Sequence, residues 1–213
     1  MTQTEGATRS TQRSTLLAAA EQLFAERGID AVSLRTVMAE AGTNVGAVHY
    51  HFGTKEALVE ALIEARSGEL RDERDRLLSE LERQEVPSVR DLAEAFVRPL
   101  VPMALDGGSS WVRLVSSIVQ TGHHALALLD RTFAPQATRF GTLLRRTDPA
   151  LDLTTVRFRL AEAMTLTFRV LGDLDAVRRN VAPPGRPAGV DRVLDELVDV
   201  VTAILAGPPE ARS

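Results

Sequence analysis

The residues that decide the fold stand at positions 42–58 and read GTNVGAVHYHFGTKEAL. Gly42 and Gly53 bound a segment long enough for one short helix, because glycine readily adopts the left-handed backbone that ends a helix. Thr43 or Asn44 can cap the start of that helix. The stretch therefore predicts a short helix between two turns, followed by a longer helix that begins at Lys55 after Gly53 and is capped by Thr54.

The preceding residues predict two further helices. One spans about 11–27 and stops at Gly28, and the other follows Ser33, a good N-cap. The apolar residues of each fall on one helical face: Leu16, Leu17, Ala20, Leu23 and Phe24 in the first, and Leu34, Val37, Met38 and Ala41 in the second. Two short helices joined by a tight glycine turn, with a packing helix before them, predict a helix-turn-helix at 33–51.

The side chains of the short helix suit contact with DNA. Gly46 and Ala47 are small enough to let a helix approach the major groove closely. The helix N-terminus offers free N–H groups to phosphate. Residues 41–55 contain no carboxylate, although the chain has 29. Thr43 remains open to two interpretations, a helix cap or a base contact.

The stretch 13–58 resembles the tetracycline-repressor (TetR) family. The residues that carry the resemblance are Ala19, Ala20, Phe24, Gly28, Ala41, Gly42, Gly46, His51, Phe52, Lys55, Glu56 and Leu58. It implies DNA contacts at Arg35, Thr36, Asn44, Val45, Gly46, Ala47, His49, Tyr50 and His51, with Lys55 on a phosphate. The family usually has tyrosine where His49 stands and valine-serine where Thr43 and Asn44 stand.

Composition limits the class of protein. The 213 residues allow one or two domains, and 44% hydrophobic with 4% aromatic residues suits helix packing. There is no cysteine, so disulfides and thiolate chemistry are excluded. The net charge is −4, so any DNA contact must come from local placement of charge. The N-terminus is polar without an apolar signal region, and no run is long enough to span a membrane, which predicts a cytoplasmic protein.

The rest of the chain predicts further helices and no strand. The expected helices span 55–84, 91–106 with a break at its prolines, 110–122, 125–146 interrupted near Pro135, 152–179 and 190–205, with a mobile loop at 181–189. The predicted fold is all-α, with an N-terminal three-helix helix-turn-helix domain and a C-terminal helical bundle. The expected divisions are a flexible arm 1–11, a DNA-binding domain 12–57, a ligand-binding and dimerisation domain 58–206 and a tail 207–213.

The last two long helices predict a homodimer. Residues 155–180 are apolar on more than one face, and 190–205 carry a nearly continuous stripe, as in an intersubunit four-helix bundle. The expected interface residues are Val156, Leu160, Met164, Leu171, Val193, Leu194, Leu197, Val201 and Ile204. The alternative is that both helices pack only within one chain.

The middle helices could form an effector pocket or simply a core. The candidate lining residues are Phe96, Met103, Trp111, Ile118, His123, Phe140, Met164 and Phe168. Residues 96–172 are also similar to fatty-acid-responsive members of the family, which implies an elongated apolar effector with an acid or acyl-thioester end.

Other chemistry finds little support. The four histidines form two adjacent groups, His49/His51 and His123/His124, without a third and fourth ligand, so neither a metal nor a cofactor is predicted. No phosphate loop or nucleophile elbow occurs.

The leading hypothesis is a regulator released from a palindromic DNA operator by a small-molecule effector, with no membrane partner. The alternatives are a helical-bundle enzyme or carrier, and an interaction module with a degenerate DNA reader.

Overall fold

The computed structural model describes residues 2–43, 52–105, 109–183 and 185–208, and within these ranges every regular element is helical. This confirms the all-α prediction. The elements are α1 (Thr2–Arg27), α2 (Leu34–Glu40), α3 (Lys55–Glu82), α4 (Val89–Val97), a 3-10 turn (Arg98–Leu100), α5 (Val101–Leu105), α6 (Ser109–Thr121), α7 (Leu126–Thr147), α8 (Leu153–Gly172), α9 (Leu174–Asn180) and α10 (Val190–Ala206). None of the described helices is long and apolar enough to cross a membrane.

The helix ends near the N-terminus follow the predicted caps. Gly28 has φ +80°, and its N–H donates to the Phe24 carbonyl at 2.9 Å, which closes the last turn of α1. The Ser33 side chain accepts a hydrogen bond from the Thr36 N–H at 3.1 Å and so begins α2. These contacts fix where α1 stops and α2 starts.

Helix α1 starts further towards the N-terminus than the predicted helix 11–27. Residues 1–11 were expected to form a flexible arm, whereas α1 begins at Thr2. No proline occurs in this segment to stop a helix. Once the buried turns around Leu16 and Phe24 fix the helix, each added residue gains a backbone hydrogen bond without a new nucleation step.

Proline acts differently at two places. The α4 segment breaks into a 3-10 turn at Pro99, as predicted. In contrast, α7 runs without interruption through Pro135, where a break was expected. A proline removes one backbone bond, and α7 is held on both sides of Pro135 by buried residues such as Leu129 and Phe140.

The predicted helix 152–179 is divided in two at Asp173. This residue has φ −140° and ψ 51°, outside the helical region, and separates α8 from α9. Gly172 lies so close to α6 that an added Cβ would be 2.9 Å from the Ser116 Cβ. Helix α8 therefore ends beside a close contact with α6 that no local pattern in the sequence predicts. The described part of 181–189 is irregular and is joined to α9 by the Arg178 Nε–H, which donates to the Ala188 carbonyl at 2.8 Å.

This close contact gives a stability prediction. Gly172→Ala should lower the free energy of unfolding by about 1 kcal/mol, because the new methyl group overpacks the α6–α8 contact. Gly68→Ala on α3 is the matched control, since an added Cβ there meets nothing within 4 Å. Alanine favours a helix over glycine, so the control should gain stability. Urea unfolding measures both, and equal gains in the two variants would contradict the packing at Gly172.

The apolar core is continuous between the two halves of the chain. It extends from α1, through α3 and α4, to α8 and α10. Helix α6 packs against both α1 and α8, so one helix contacts the N-terminal domain and the C-terminal bundle. A change in the bundle can therefore reach α1 by direct packing.

The apolar stripe predicted to meet a second chain is mostly turned into the chain's own core. Helix α10 packs against α4 and α8. Six of the expected interface residues are buried within this chain, namely Val156, Leu171, Val193, Leu194, Leu197 and Val201, whereas Leu160, Met164 and Ile204 are half-buried. The α10 residues among the six pack against α4 and α8 of the same chain, and the contact of the six with a second chain stays a prediction. The exposed large apolar side chains of α8 and α10 are Leu153, Phe158 and Val200.

Candidate nucleic-acid interface

The start of α2 presents one free basic side chain and one engaged hydroxyl. Arg35 is exposed at the first turn of the helix. The Thr36 hydroxyl lies 2.8 Å from the Ser33 hydroxyl, as part of the helix cap. Arg35 is thus placed to reach a phosphate or a base, whereas Thr36 first serves the structure of α2.

The turn after α2 carries the next predicted contact. Gly42 has φ +61°, and the Thr43 N–H donates to the Met38 carbonyl at 3.1 Å. The Thr43 hydroxyl is buried and finds no hydrogen-bond partner among the described residues. The other predicted contacts of the short helix lie outside the described residues: Asn44, Val45, Gly46, Ala47, His49, Tyr50 and His51.

Lys55 holds the backbone of the loop between α1 and α2. Its Nζ donates to the carbonyls of Ile29 at 3.1 Å, Val32 at 3.3 Å and Asp30 at 3.5 Å. A cation in the first turn of a helix opposes the helix dipole. The three carbonyls offset this cost and give Lys55 a structural role, which the predicted phosphate contact did not include.

The beginning of α3 is fixed by its own caps. Gly53 has φ +72°, and the Thr54 side chain accepts from the Ala57 N–H at 3.1 Å, which confirms the predicted cap. The pKa of Glu56 lies below its usual value, chiefly because the carboxylate accepts a hydrogen bond from its own backbone N–H. An anion in this position complements the helix dipole, so the start of α3 is well defined.

Two polar contacts join the N-terminal domain to the rest of the chain, and sequence reasoning missed both. The Arg66 Nε donates to the Glu21 carboxylate at 2.5 Å, from α3 to α1. His123, after the end of α6, lies 3.3 Å from Asp30 in the α1–α2 loop. Partners separated by 45 and 93 positions leave no local signal in the sequence.

The ring of His123 has a defined tautomer. Its Nδ1 accepts a hydrogen bond from the Ala125 N–H at 3.0 Å. In the neutral ring the proton therefore sits on Nε2, which donates to the Asp30 carboxylate. Because Lys55 also binds the Asp30 carbonyl, this loop is held from both the bundle and α3.

The linker helix α3 is also clamped to α7. Arg139 donates to Asp75 and to Glu82, each at 2.7 Å. The hydrogen bond from Arg139 lowers the pKa of Glu82 below its usual value. These contacts on the second half of α3, together with Lys55 at its start, connect α7 to the α1–α2 loop through one helix.

The predicted effector residues have different surroundings. Phe96 and Phe140 are in edge-on contact, with ring centroids 5.3 Å apart. Trp111, Ile118 and Phe168 are buried in the core, and Met164 is half-buried. The others lie elsewhere, Met103 on a groove between α3 and α4 and His123 on the N-terminal domain. Among the described residues no group of three His, Asp or Glu side chains is arranged to hold a metal.

Comparison with known families agrees with this architecture over both halves of the chain. Residues 16–62 match the model of bacterial regulatory proteins of the tetR family, and residues 94–203 match the tetracyclin repressor-like C-terminal domain. The fold and the N-terminal match define a helix-turn-helix transcriptional regulator. The chain belongs to the tetR family, whose members bind DNA and dimerise.

Individual relatives point the same way. The transcriptional repressor KstR2 of Rhodococcus jostii is 30% identical over 204 residues, 94% of each chain. The repressor Rv3405c of Mycobacterium tuberculosis is 49% identical over 49 residues, 23% of this chain and 26% of its own length. The match thus spans about a quarter of that relative. SmeT, the repressor of the Stenotrophomonas maltophilia multidrug efflux pump SmeDEF, has a similar fold, with a TM-score of 0.62 at 20% identity over 90% of this chain and 88% of SmeT. These relatives are transcriptional regulators and not enzymes.

Proposed function

We propose that this protein is a homodimeric repressor that binds a palindromic DNA operator and leaves it when a small, apolar effector binds the helical bundle. One observation supports the proposed gating step. Helix α6 of the bundle packs on α1, and His123 at its end binds Asp30 in the loop that leads to α2. A displacement of α6 would therefore move the helices that carry the DNA contacts.

The proposed switch depends on spacing. The two recognition helices of a dimer must lie about 34 Å apart to enter successive major grooves. Helix α3 connects the DNA-binding domain with the bundle and is tied at both ends, by Lys55 and by Arg139. To clear the operator decisively, the effector must favour the non-binding state by about 10⁴-fold.

The proposed dimer face lies on α8 and α10. Phe158, Val200 and Leu153 expose large apolar surfaces there. Ile204 lies beside Phe158 and Val200 on a shallow depression that both helices line. Two copies of this helix pair would form a four-helix bundle, which buries these side chains. The interface thus uses the outer faces of the two helices and not the stripe that packs inside the chain.

Selection of bound sequences from a random DNA pool tests the function. We expect the full-length chain to enrich a palindrome whose half-sites lie about one helical turn apart. Tyr50→Ala is the comparison variant, and it should enrich the same sequence more weakly because it loses a phosphate contact. Failure of the wild-type chain to enrich any sequence would overturn the proposal and favour the degenerate-reader alternative.

A further inference from the structure

Arg74 is a buried cation in the middle of α3. The residue is 6% exposed, and its Nη2 donates to the Phe96 carbonyl at 3.0 Å. The guanidinium carbon lies 4.9 Å from the centre of the Phe96 ring and 5.7 Å from that of Phe133. Its Nε has no hydrogen-bond partner in the described part of the chain. Among the described residues, no carboxylate lies within ion-pair distance of this guanidinium.

The charge persists although it is unpaired. Burial lowers the pKa of Arg74 to about 10, which still leaves the side chain protonated at neutral pH. The two rings and one carbonyl offset only part of the lost hydration, since a buried charge needs a counter-charge or several hydrogen bonds to be well compensated. An anion that binds beside this buried cation and its free N–H therefore gains a large binding free energy.

The nearby acidic groups are engaged with other partners. The Asp75 carboxylate accepts from Gln136 at 3.0 Å and from Arg139 at 2.7 Å. Glu73 pairs with Arg76 at 2.7 Å. The Gln136 Oε1 is also buried and has no hydrogen-bond partner among the described residues. Arg74 thus keeps an unpaired donor, and the described residues supply no anion for it.

We propose that Arg74 binds the carboxylate of the effector, so that the ligand is a monocarboxylate with an apolar body. This inference rests on the proposed effector-gated function. A single guanidinium neutralises one negative charge, so a monoanion leaves no net buried charge, whereas a dianion such as a phosphate monoester leaves one uncompensated. The apolar body would replace part of the packing among Phe96, Phe133 and Phe140.

The position of Arg74 links the site to the DNA-binding domain. Arg74 belongs to the same helix as Lys55, which holds the α1–α2 loop. A carboxylate that draws the guanidinium away from the Phe96 carbonyl would shift α3 relative to α4. The same movement would be transmitted along α3 to its first turn.

Calorimetric titration of the full-length chain tests the charge recognition. The probes are decanoate and 4-phenylbutyrate, each compared with the alcohol of the same carbon skeleton. In the wild type we expect the acids to bind about 10- to 100-fold more tightly than the alcohols, as for a charge-assisted hydrogen bond. This ratio should fall to about 1 in Arg74→Met and stay largely intact in Arg74→Lys. Arg76→Met is the matched control, because Arg76 is exposed on the same helix and paired with Glu73 and Glu80.

The outcomes separate the inference from the function on which it rests. Equal binding of acid and alcohol by the wild type, no binding of either acid at millimolar concentration, or a ratio unchanged in Arg74→Met would overturn the role of Arg74. Operator release by the acids, measured by fluorescence anisotropy, is an independent readout. Acids that bind through Arg74 without releasing the operator would confirm the site and contradict effector gating. Operator release by the acids that is unaffected in Arg74→Met would confirm effector gating and contradict the role of Arg74.

Discussion

Phe158→Asp is expected to convert the dimer to monomers and to weaken operator binding by about 10²- to 10⁴-fold. Phe158 has 64% of its surface exposed in the single chain, on the outer face of α8. In the proposed four-helix bundle a carboxylate at this position would be buried without a partner, which is strongly unfavourable. A monomer has only one recognition helix and binds one half-site. It therefore loses the additional affinity that a dimer gains by binding both half-sites at once. Sedimentation equilibrium and anisotropy with the selected operator measure the two effects.

Val181→Asp is the matched control for this experiment. Val181 is about equally exposed, at 63%, but lies after α9 and does not line the depression between α8 and α10. It should leave both the dimer and the operator affinity unchanged. A dimeric Phe158→Asp protein, or a monomeric Val181→Asp protein, would show that the dimer uses a different face.

Lys55→Met should lower the free energy of unfolding by about 2 kcal/mol, because the Ile29, Asp30 and Val32 carbonyls lose a charged donor. For a chain of this size the melting temperature should fall by about 4 to 8 °C. Operator affinity should fall as well, since the loop that positions α2 is released. Thermal unfolding followed by circular dichroism, together with anisotropy, measures both effects.

Arg35→Met is the comparison variant that shows whether Lys55 acts mainly on the structure or on a phosphate. Arg35 is exposed on α2 and forms no ion pair within the described residues. Its loss should therefore weaken operator binding without changing the melting temperature. If Lys55→Met instead behaves like Arg35→Met, with normal melting and weak binding, then the phosphate contact predicted from the family resemblance is its main role.

Local signals in the sequence predicted the helix ends well. Ser33 and Thr54 cap α2 and α3, and Gly28 and Gly42 adopt the left-handed backbone that ends α1 and follows α2. Each of these depends on contacts within about five residues, and therefore the residue types at fixed offsets carry the information. The DNA contacts predicted within 44–51 lie outside the described residues and stay predictions.

Long-range contacts decided the features that the sequence did not predict. Gly172 on α8 closely approaches Ser116 on α6, and Lys55 binds carbonyls 23 to 26 positions away. Neither pattern can be recognised without knowing which helices are neighbours. The buried charge of Arg74 is a similar case, because in the sequence it is one arginine within a charged helix.

The sequence alone determined the family and the all-helical class and predicted the stretch for DNA contact, because caps, glycine turns and apolar spacing are local properties of the chain. Only the tertiary structure decided which apolar faces remain free and which charges are paired. The stripe of α10 faces the chain's own α4 and α8, whereas Phe158 and Val200 remain exposed. The spacing of apolar residues along a helix is the same whether the helix packs against its own chain or against a second copy. Spacing therefore cannot distinguish the two.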